Sequence, residues 1–297
     1  MKRALTVLFM ISCALLLSGI SCRKGDTRGD APRTGRSSTR IISLAPNITE
    51  TLFALGLESR VIGVTKFCKY PPEATKKAQV GGFFDPNYEA MVALKPDLVI
   101  LLPEQEQAKK YLENLGIATL TVHNRLIGEI LDTITVIGKT CGKESEAAEM
   151  VSGIRSRMET VKKKTESLKR KKILVSVGRT AGSVEQIVIA GQNTFYDELI
   201  TLAGGINVYH GYPVPYPEVS GEGMLRLDPD IILDIQPSLA AMGLSEKDAR
   251  RDWDKIPELR AVKTGNVYIL SADYTAVPGP RFIRTLEEMA RIFQLTP

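Results

Sequence analysis

The chain has 297 residues, enough for two domains that each bury a core, and its proportions of charged (25%) and hydrophobic (43%) residues are those of a soluble globular protein. The formal net charge of +5 belongs to the first 40 residues, where eight basic and two acidic side chains leave residues 41–297 near neutrality at −1. The folded part therefore has neither the basic bias nor a motif of a nucleic-acid-binding protein, and we exclude that class.

The first 40 residues have the pattern of an export signal followed by a tether. Lys2 and Arg3 precede the apolar run ALTVLFMISCALLL, which predicts a signal peptide over residues 1–21. Cys22 then stands where a bacterial lipoprotein signal places its acylated cysteine, although Gly19 replaces the usual large aliphatic residue. We expect lipidation of Cys22, with an uncleaved anchor or ordinary cleavage nearby as alternatives. Residues 22–40 are rich in Gly, Ser, Thr, Arg and Asp and predict a flexible tether.

Two cysteines, Cys68 and Cys141, remain in the folded part. An exported protein meets an environment that permits disulfides. Pairing also needs Cα atoms at bonding distance, which a sequence does not give. A disulfide and two separate thiols are therefore both open interpretations.

Strands alternate with helices between residues 41 and 142. Asn47 is expected to cap the first helix, with Glu50 three residues later, and Pro71 and Pro72 indicate a loop. The predicted strands and helices, in chain order, are RIISLAP, NITETLFALG, RVIGVT, NYEAMVALKP, DLVILL, EQAKKYLENLG, ATLTVH and GEILDTITVIGKTCG. This alternation predicts a parallel sheet covered by helices on both faces.

One long amphipathic helix is predicted over residues 143–171. This stretch has no proline, and apolar residues recur at steps of three, four or seven from Ala147 to Leu168. About 28 helical residues would span about 40 Å at 1.5 Å per residue. A coiled coil is the alternative, but an isolated stretch between two α/β regions favours a rigid strut. We therefore expect an N-terminal lobe over 41–142 and a C-terminal lobe over 172–297.

The second α/β region, residues 172–297, repeats a pattern from the first. Its predicted strands are KKILVSVG, QIVIAG, DIILDI and NVYILS, and its predicted helices are NTFYDELITLAGG, EVSGEGMLRLDP and PRFIRTLEEMARIF. EGMLRLDPDIILD, from Glu222, matches EAMVALKPDLVIL, from Glu89, in its Glu, Met, Leu, Pro and Asp positions. Equivalent core positions in two homologous lobes explain the Met, Leu, Pro and Asp. They do not explain Glu89 and Glu222, which are expected at helix starts on the solvated side, where a carboxylate gains only modestly from the helix dipole.

The sequence resembles the substrate-binding proteins of bacterial vitamin B12 and ferric-siderophore ABC importers. The segments that carry this resemblance are RIISLAPNITETLFALG, KYPPEA, QVGGFFDPNYEAMVALKPDLVI, AGQNTFYDELITLAGGINV, YPEVSGEGMLRLDPDIIL and VPGPRFIRTLEEMARIF. The resemblance covers nearly everything from Arg40 to the end. It implies an α/β fold of two Rossmann-like lobes with parallel sheets, joined by one long rigid helix, with the ligand in the cleft between them.

The resemblance also implies partners. Family members deliver their ligand to a permease dimer with its ATPase subunits, and one surface carboxylate from each lobe pairs with permease arginines. Glu89 and Glu222 match those positions. We expect a monomer that is held at the membrane by its lipid and that binds a small-molecule metal chelate.

The resemblance is nearest to the vitamin B12 branch. The matching ligand positions are three aromatic residues and one polar residue: Phe67, Phe83, Tyr216 and Asp273. Leu102 and Val277 depart from the pattern, because a Trp and an Arg occur there in the vitamin B12 protein. Further candidates in loops are Tyr70, Arg179 and Arg281, each of which also has a purely structural interpretation.

The candidate ligands differ in the side chains they need. A cobalamin is large, amphipathic and of low net charge, so flat apolar walls such as Phe67, Phe83 and Tyr216 suit it. An anionic siderophore needs converging cations, for which the candidates are Arg179, Arg281, Lys66 and Arg125. Haem would need an axial Tyr or His, and NVYHGYPVPY contains both. A bare metal ion is disfavoured, since the chain has only two histidines.

A cleft enzyme of related two-lobed architecture is the alternative of another class. The sequence has no nucleophile elbow, Cys/His cluster or phosphate loop. LAGGIN follows a helix, so it is not a dinucleotide fingerprint. We expect a binding protein without cofactor or catalytic residues; a sensor or adhesin on the same fold is a third possibility.

Overall fold

The computed structural model describes residues 38–211 and 213–296. The predicted signal peptide and all of the tether before Ser38, including Cys22, lie outside the described residues. Two α/β lobes, each built on its own sheet, make up the described chain. We call them the N-lobe and the C-lobe. The predicted fold class is thus confirmed.

The N-lobe is built on a five-stranded parallel sheet in the order β3-β2-β1-β4-β5. Its strands are β1 (Ile41–Ser43), β2 (Val61–Val64), β3 (Ala78–Gln79), β4 (Leu98–Leu101) and β5 (Thr119–Thr121). Its helices are α1 (Pro46–Ala54), α2 (Tyr88–Ala93), α3 (Glu106–Asn114) and α4 (Ile127–Cys141). The short strand β3 was not predicted.

Alternation within the N-lobe strands buries side chains on both sheet faces. Ile41 packs in the cluster that includes residues of α1 and α4, whereas its neighbour Ile42 packs with residues of α2 and α3. Successive strand side chains point to opposite faces, so a strand buried on both faces reads as a continuous apolar run. Every residue of β1 and β4 is buried; β4 is apolar throughout, and β1 is apolar except for Ser43.

The start of α1 differs from the prediction. Asn47 is not the N-cap: Pro46 is the first helical residue and Ala45 the cap, without a side-chain capping bond. Proline is favoured at the first helical position because it has no N–H to leave unpaired, and the helix cap lies two residues before the predicted one. Asn47 is 4% exposed and is left facing the other lobe.

The C-lobe sheet is mixed, which corrects the expectation of a wholly parallel one. Its strands are β6 (Lys172–Arg179), β7 (Gln186–Ile189), β8 (Ile206–Asn207), β9 (Glu218–Ser220), β10 (Ile231–Ile235) and β11 (Val267–Leu270). They are ordered β11-β10-β6-β7-β9, with β8 paired to β6; β7 runs antiparallel to both β6 and β9. A turn of only six residues joins β6 to β7, and a connection that short permits only an antiparallel pair.

The C-lobe helices cover this sheet. They are α6 (Phe195–Leu202), α7 (Gly221–Leu227), α8 (Glu246–Asp252), α9 (Arg260–Lys263) and α10 (Phe282–Leu295). The predicted helix over EVSGEGMLRLDP splits into β9 and α7, and α8 and α9 were not predicted. Trp253, the single tryptophan of the chain, is completely buried after α8.

The predicted long helix is α5 (Glu144–Thr165), with 22 residues instead of about 28. The Thr165 hydroxyl donates to the carbonyls of Val161 and Leu202, and Leu168 N–H donates to the Thr165 carbonyl as the chain turns toward β6. Arg157 of α5 makes two hydrogen bonds to Glu287 of α10, at 2.9 and 2.7 Å. The predicted lobe boundaries at 142 and 171 stay a prediction.

The repeated pattern forms the same turn in both lobes. Asn87 caps α2 and Ser220 caps α7, each side chain accepting from the backbone N–H three residues on. The residue before the proline has a positive φ in both copies, 48° at Lys95 and 42° at Asp228. The repeated sequence therefore encodes a capped helix and a left-handed turn.

The aspartate after each proline has a further role. The Asp97 carboxylate accepts from the Thr39 and Arg40 N–H groups at the start of β1, and Asp230 accepts from Lys172 N–H at the start of β6. These amides begin the first strand of each lobe. The Pro-Asp pair thus ties the end of a helix to the first strand of its lobe.

Cys68 and Cys141 are both buried and do not form a disulfide with each other. The Cys68 thiol lies 3.0 Å from the Thr49 hydroxyl, which donates to it. Burial raises the pKa of Cys68, and it raises that of Cys141 to about 11. The interpretation as two separate thiols is the correct one.

No helix within 38–211 and 213–296 is long and apolar enough to cross a bilayer.

Candidate functional site

A cavity of about 310 Å³ lies between the two lobes. Its N-lobe wall follows the carboxyl ends of β1, β4 and β5, and its C-lobe wall is residues 276–278, after β11. Ligands of open α/β sheets bind outside the carboxyl ends of the strands. The lining residues are Ala45, Pro46, Asn47, Phe83, Leu102, Glu104, Asn124, Ala276, Val277 and Pro278. We call this cavity the cleft.

A buried glutamine holds the N-lobe wall of the cleft in place. The Gln105 side-chain amide donates to the carbonyls of Leu44 and Phe83, at 3.1 and 3.2 Å, and its oxygen accepts from Leu102 N–H at 3.1 Å. Leu44 follows β1, Leu102 follows β4, and Phe83 belongs to the loop before α2. Gln105 therefore fixes three parts of the wall relative to one another.

The predicted aromatic residues of the N-lobe lie at or near this wall. Phe83 lines the cleft, and its ring meets that of Phe84 edge to face, with centroids 4.7 Å apart. Phe84 is 87% exposed and was not predicted. Phe67 is 53% exposed beyond the end of β2, where its neighbour Lys66 pairs with Asp85 of the Phe84 loop. Large apolar surface is thus left open to solvent beside the cleft.

Tyr216, the predicted aromatic residue of the C-lobe, is partly exposed and lies beside Thr194. The Tyr216 ring is 45% exposed, while its phenol lies beside Thr194, and burial there raises the pKa of Tyr216. Tyr196, two residues from Thr194, donates from its hydroxyl to the Thr275 carbonyl at 2.7 Å. Thr275 directly precedes the cleft-lining Ala276, whereas Tyr216 itself is not among the residues that line the cleft, and its ligand-binding role stays a prediction.

Three other predicted ligand residues form a cluster between the lobes. Arg281 makes two hydrogen bonds to Glu50 of α1, at 2.8 and 2.6 Å, and two to Asp273, at 3.0 and 2.9 Å. Its guanidinium carbon lies 3.5 Å from the centre of the Tyr70 ring. Arg281 thus has Glu50, Asp273 and Tyr70 as partners within the chain. The ligand-binding role of Tyr70, Asp273 and Arg281 stays a prediction.

Electrostatics differ between the two carboxylates of this cluster. Burial raises the pKa of Glu50, and the neighbouring Arg281 offsets this only in part. The hydrogen bonds from Arg281 lower the pKa of Asp273, whose side chain is far more exposed. Glu50 is 3% exposed, so its charge depends on Arg281 for compensation.

A second and larger cavity, of about 850 Å³, lies on the other side of this cluster. α1, the Tyr70–Pro71 loop, α5 and the start of α10 form its walls. Glu50 and Arg281 line this cavity, whereas Asn47 and Pro278 line the cleft. The contact between α1 and residues 279–281 thus separates the two cavities.

Arg179 is placed apart from the other predicted ligand residues. Its side chain is 1% exposed and pairs with Asp234 at 2.8 Å and with Asp252 at 2.7 Å. It also donates to the Ala249 carbonyl, and Trp253 donates to the same Asp234 oxygen. Its ligand-binding role stays a prediction that these contacts do not favour; they indicate a structural ion pair inside the C-lobe.

The cations considered for an anionic ligand have protein partners or lie elsewhere. Arg179 and Arg281 are paired with two carboxylates each, and Lys66 is paired with Asp85. Arg125 is exposed after β5 and does not line the cleft. Among the described residues that line the cleft none is basic, and Leu102 and Val277 add apolar surface. The cleft therefore suits a ligand of low net charge.

Glu89 and Glu222 lie at equivalent places on the two lobes. Each is the second residue of its helix, α2 or α7, and each is exposed. Glu222 is 85% exposed and makes a loose contact with Arg226 at 3.6 Å. Neither lines the cleft. This placement agrees with the sequence expectation; their role stays a prediction.

Several residues of the site were not predicted. Asn47, Glu104 and Asn124 line the cleft just after β1, β4 and β5, and that position relative to a parallel strand is a signal that identifies them. Gln105 and Glu50 have no such signal. Apart from Leu102, which is three residues from Gln105, their partners lie 22 to 231 residues away, so only the fold reveals them.

The fold and the cleft define a class. Two α/β lobes, connected through one long helix, hold an apolar cleft between strand ends. Residues 41–274 match the periplasmic binding protein family, and the chain belongs to it. The predicted resemblance to the substrate-binding proteins of ABC importers is confirmed.

Individual relatives agree with this membership. An uncharacterised ABC transporter substrate-binding lipoprotein of Bacillus subtilis, YvrC, is 29% identical over 84% of this chain and 78% of its own length. A vitamin B12-binding protein of Vibrio cholerae is 28% identical over 86% of this chain and 89% of its own. The crystal structure of the periplasmic vitamin B12-binding protein BtuF of Vibrio cholerae has a TM-score of 0.74 and 27% identity, covering 88% of this chain and 98% of that one.

The Arg179 contacts predict a structural role that can be measured. Replacing Arg179 with Met should lower the free energy of unfolding by about 3–5 kcal/mol, because Asp234 is left buried without its partner. Arg251→Met removes an exposed contact to Asp248 and should cost less than about 1 kcal/mol. Urea unfolding followed by Trp253 fluorescence measures both. Unchanged stability in Arg179→Met, with loss of ligand binding, would instead place this guanidinium in the ligand site.

Proposed function

We propose that this protein is the substrate-binding component of an ABC importer and that it carries a corrinoid, cobalamin being favoured. It captures the ligand between its lobes and delivers it to a permease dimer with its ATPase subunits. No catalytic step is assigned to it. The names of the Vibrio cholerae relatives support the ligand class, and that of YvrC supports the transporter.

One observation carries the ligand assignment: the lining of the cleft is mostly apolar, and among the described residues that form it there is one carboxylate, Glu104, and no basic side chain. An anionic ferric siderophore would leave its charges without partners there, at a cost in desolvation. A corrinoid is large and amphipathic; Phe83 lines the cleft, and the exposed Phe84 meets the Phe83 ring. Phe67 and Tyr216, which are exposed and outside the lining, are proposed to extend this aromatic surface. Asn47 and Asn124 supply hydrogen-bonding groups inside it.

The assignment predicts one-to-one binding of cyanocobalamin that depends on Phe83. Truncation to Ala should weaken binding by about 1–3 kcal/mol, or roughly 5- to 150-fold, because an aromatic wall of the cleft is lost. Tyr111→Ala is the matched control, since Tyr111 is an exposed aromatic on α3 that packs on Tyr88 outside the cleft. Isothermal titration calorimetry measures all three proteins.

The same titrations with haem and a ferric hydroxamate siderophore test the ligand class. Tight binding of either, without cyanocobalamin binding, would overturn the corrinoid and leave the transport role. The importer role itself would be contradicted if none of the three bound and the protein turned a small molecule over.

Glu89 and Glu222 are proposed to dock the two lobes on the permease. The shared turn places both carboxylates at the start of an exposed helix, one on each lobe. A permease dimer presents the same groups twice, so two equivalent anchors match its symmetry. Removing one partner of a desolvated interfacial ion pair can cost several kcal/mol.

Uptake should therefore fall when these carboxylates are removed. Glu89→Ala and Glu222→Ala should each impair uptake of radiolabelled ligand by cells, the double variant more, and charge reversal to Arg most. Ligand affinity in solution should stay unchanged in all of them. Glu159→Ala, on the exposed face of α5, is the control. Full uptake by the double variant would refute docking, and a large loss of affinity in either single variant would place that carboxylate in the ligand site.

Attachment to the membrane through Cys22 is proposed from the sequence of the leader. Mass spectrometry of protein extracted from its native membrane should find a mature N-terminus at Cys22 that carries diacyl or triacyl lipid. Cys22→Ser should release the protein from the membrane fraction, whereas Cys68→Ser should not. An unmodified N-terminus elsewhere would contradict the lipid anchor.

A further inference from the structure

One short segment of the C-lobe runs along α1 of the N-lobe. Residues 276–278 line the cleft, and Pro280 and Arg281 line the larger cavity beyond it. Between them, Gly279 lies against Asn47 so closely that a Cβ at position 279 would be 3.2 Å from the Asn47 Cα. The C-lobe wall of the cleft and Arg281 therefore belong to one continuous stretch, residues 276–281.

The backbone of this stretch has few hydrogen bonds of its own. Pro278 and Pro280 have no N–H to donate. Gly279 N–H donates to the Val277 carbonyl, and Phe282 N–H donates to the Gly279 carbonyl. Both of these bonds are local, and the segment belongs to no strand of the described sheet. Besides the packing of Gly279 on Asn47, its position against the N-lobe therefore depends on side-chain contacts.

Arg281 supplies the strongest of these side-chain contacts. Its two hydrogen bonds to Glu50 span 231 residues of sequence and join one lobe to the other. Both side chains are nearly buried, with 10% of Arg281 and 3% of Glu50 exposed. The Tyr70 ring of the N-lobe stacks on the same guanidinium. A forked, buried and stacked guanidinium fixes distance and orientation together.

We propose that Glu50 is a positioning residue for the cleft: through Arg281 it holds segment 276–281 against α1 and so sets the separation of the two cleft walls. Glu50 does not line the cleft itself. Asn47, which does, lies three residues before it on α1, and helical residues three apart share a face. One face of α1 thus carries both a cleft-lining residue and the anchor of the opposite wall.

The cluster contains its own control. Asp273 also makes two hydrogen bonds to Arg281, but it belongs to the C-lobe, as Arg281 does. Asp273→Asn weakens a contact within one lobe and leaves the bond to Glu50. Glu50→Gln removes the charge that crosses between lobes while keeping the size of the side chain. Comparing the two variants shows whether the contact of Arg281 with the other lobe matters, or whether any carboxylate partner of Arg281 has the same effect.

Hydrogen–deuterium exchange of the full chain, followed by mass spectrometry, tests the proposal without a ligand. Glu50→Gln should speed exchange in residues 279–282 and in the first turn of α1 by about tenfold or more, while β6 and β10 exchange as before. Asp273→Asn should leave the first turn of α1 unchanged. Arg281→Lys keeps the charge but loses the fork, and it should speed the same amides as Glu50→Gln.

Two results would overturn the proposal. Exchange that is unchanged in Glu50→Gln and in Arg281→Lys would show that the pair does not hold the segment. Exchange that rises equally in β6, β10 and α1 would show a contribution to global stability only. If Glu50→Gln does not fold, the exchange of Arg281→Lys is sufficient to show whether either of these two results holds.

A binding measurement extends the test and rests on the proposed function. Glu50→Gln should weaken cyanocobalamin binding at least about fivefold, mainly through faster dissociation, although Glu50 does not touch the cleft. Unaltered affinity together with faster exchange would show that the segment moves without setting the cleft and would overturn the positioning role. Absence of cyanocobalamin binding in the unmodified protein would overturn the ligand assignment instead, and the exchange result would still decide the bridge.

Discussion

The first strand of each lobe is tied to a helix end by one aspartate, and much of the architecture follows from that bond. Asp97 and Asp230 accept from the amides that begin β1 and β6, the strands around which each sheet is arranged. The preceding proline and left-handed residue stop the helix there. The same turn fixes the start of the first strand and the end of α2 or α7. It therefore fixes the helix that carries Glu89 or Glu222 relative to the sheet of its lobe.

The alternating elements were predictable from sequence because burial on both sheet faces produces apolar runs that stand out between polar helices. The repeat was visible as well, since a turn with a proline and a positive φ restricts residue choice. The strand β7 was predicted, but its antiparallel direction was not, because direction depends on the pairing with β6 and β9 and not on the residues of the strand itself. The strands β3, β8 and β9 were missed, because strands of two or three residues without an apolar run carry little pattern. The start of α1 was missed as well. Because Pro46 is the first residue of α1, the cap is Ala45 and not Asn47. Asn47 instead packs against Gly279 of the other lobe.

Site residues could be predicted from sequence only where a motif or the repeat marks them, and not where their role depends on a distant partner. Of the aromatic residues predicted through resemblance, Phe83 lines the cleft and Phe67 and Tyr216 do not. Glu89 and Glu222 were predicted through the repeat, and their exposure at the starts of α2 and α7 agrees with that. Arg179 and Arg281 looked alike in sequence, yet one is enclosed by Asp234 and Asp252 and the other spans the two lobes. They differ in the location of the distant carboxylate partner: Asp234 lies 55 residues from Arg179 in the same lobe, and Glu50 lies 231 residues from Arg281 in the other lobe. No local pattern records such a pairing.

Gly279 has a mechanical consequence. Its backbone rests directly on Asn47, so the two lobes touch at this point with no side chain between them. A Cβ at position 279 would lie 3.2 Å from the Asn47 Cα and 3.3 Å from its Cβ, which is tighter than an ordinary van der Waals contact. An alanine there would act as a wedge between the two lobes, and α1 or the segment that carries it would have to give way by a few tenths of an ångström.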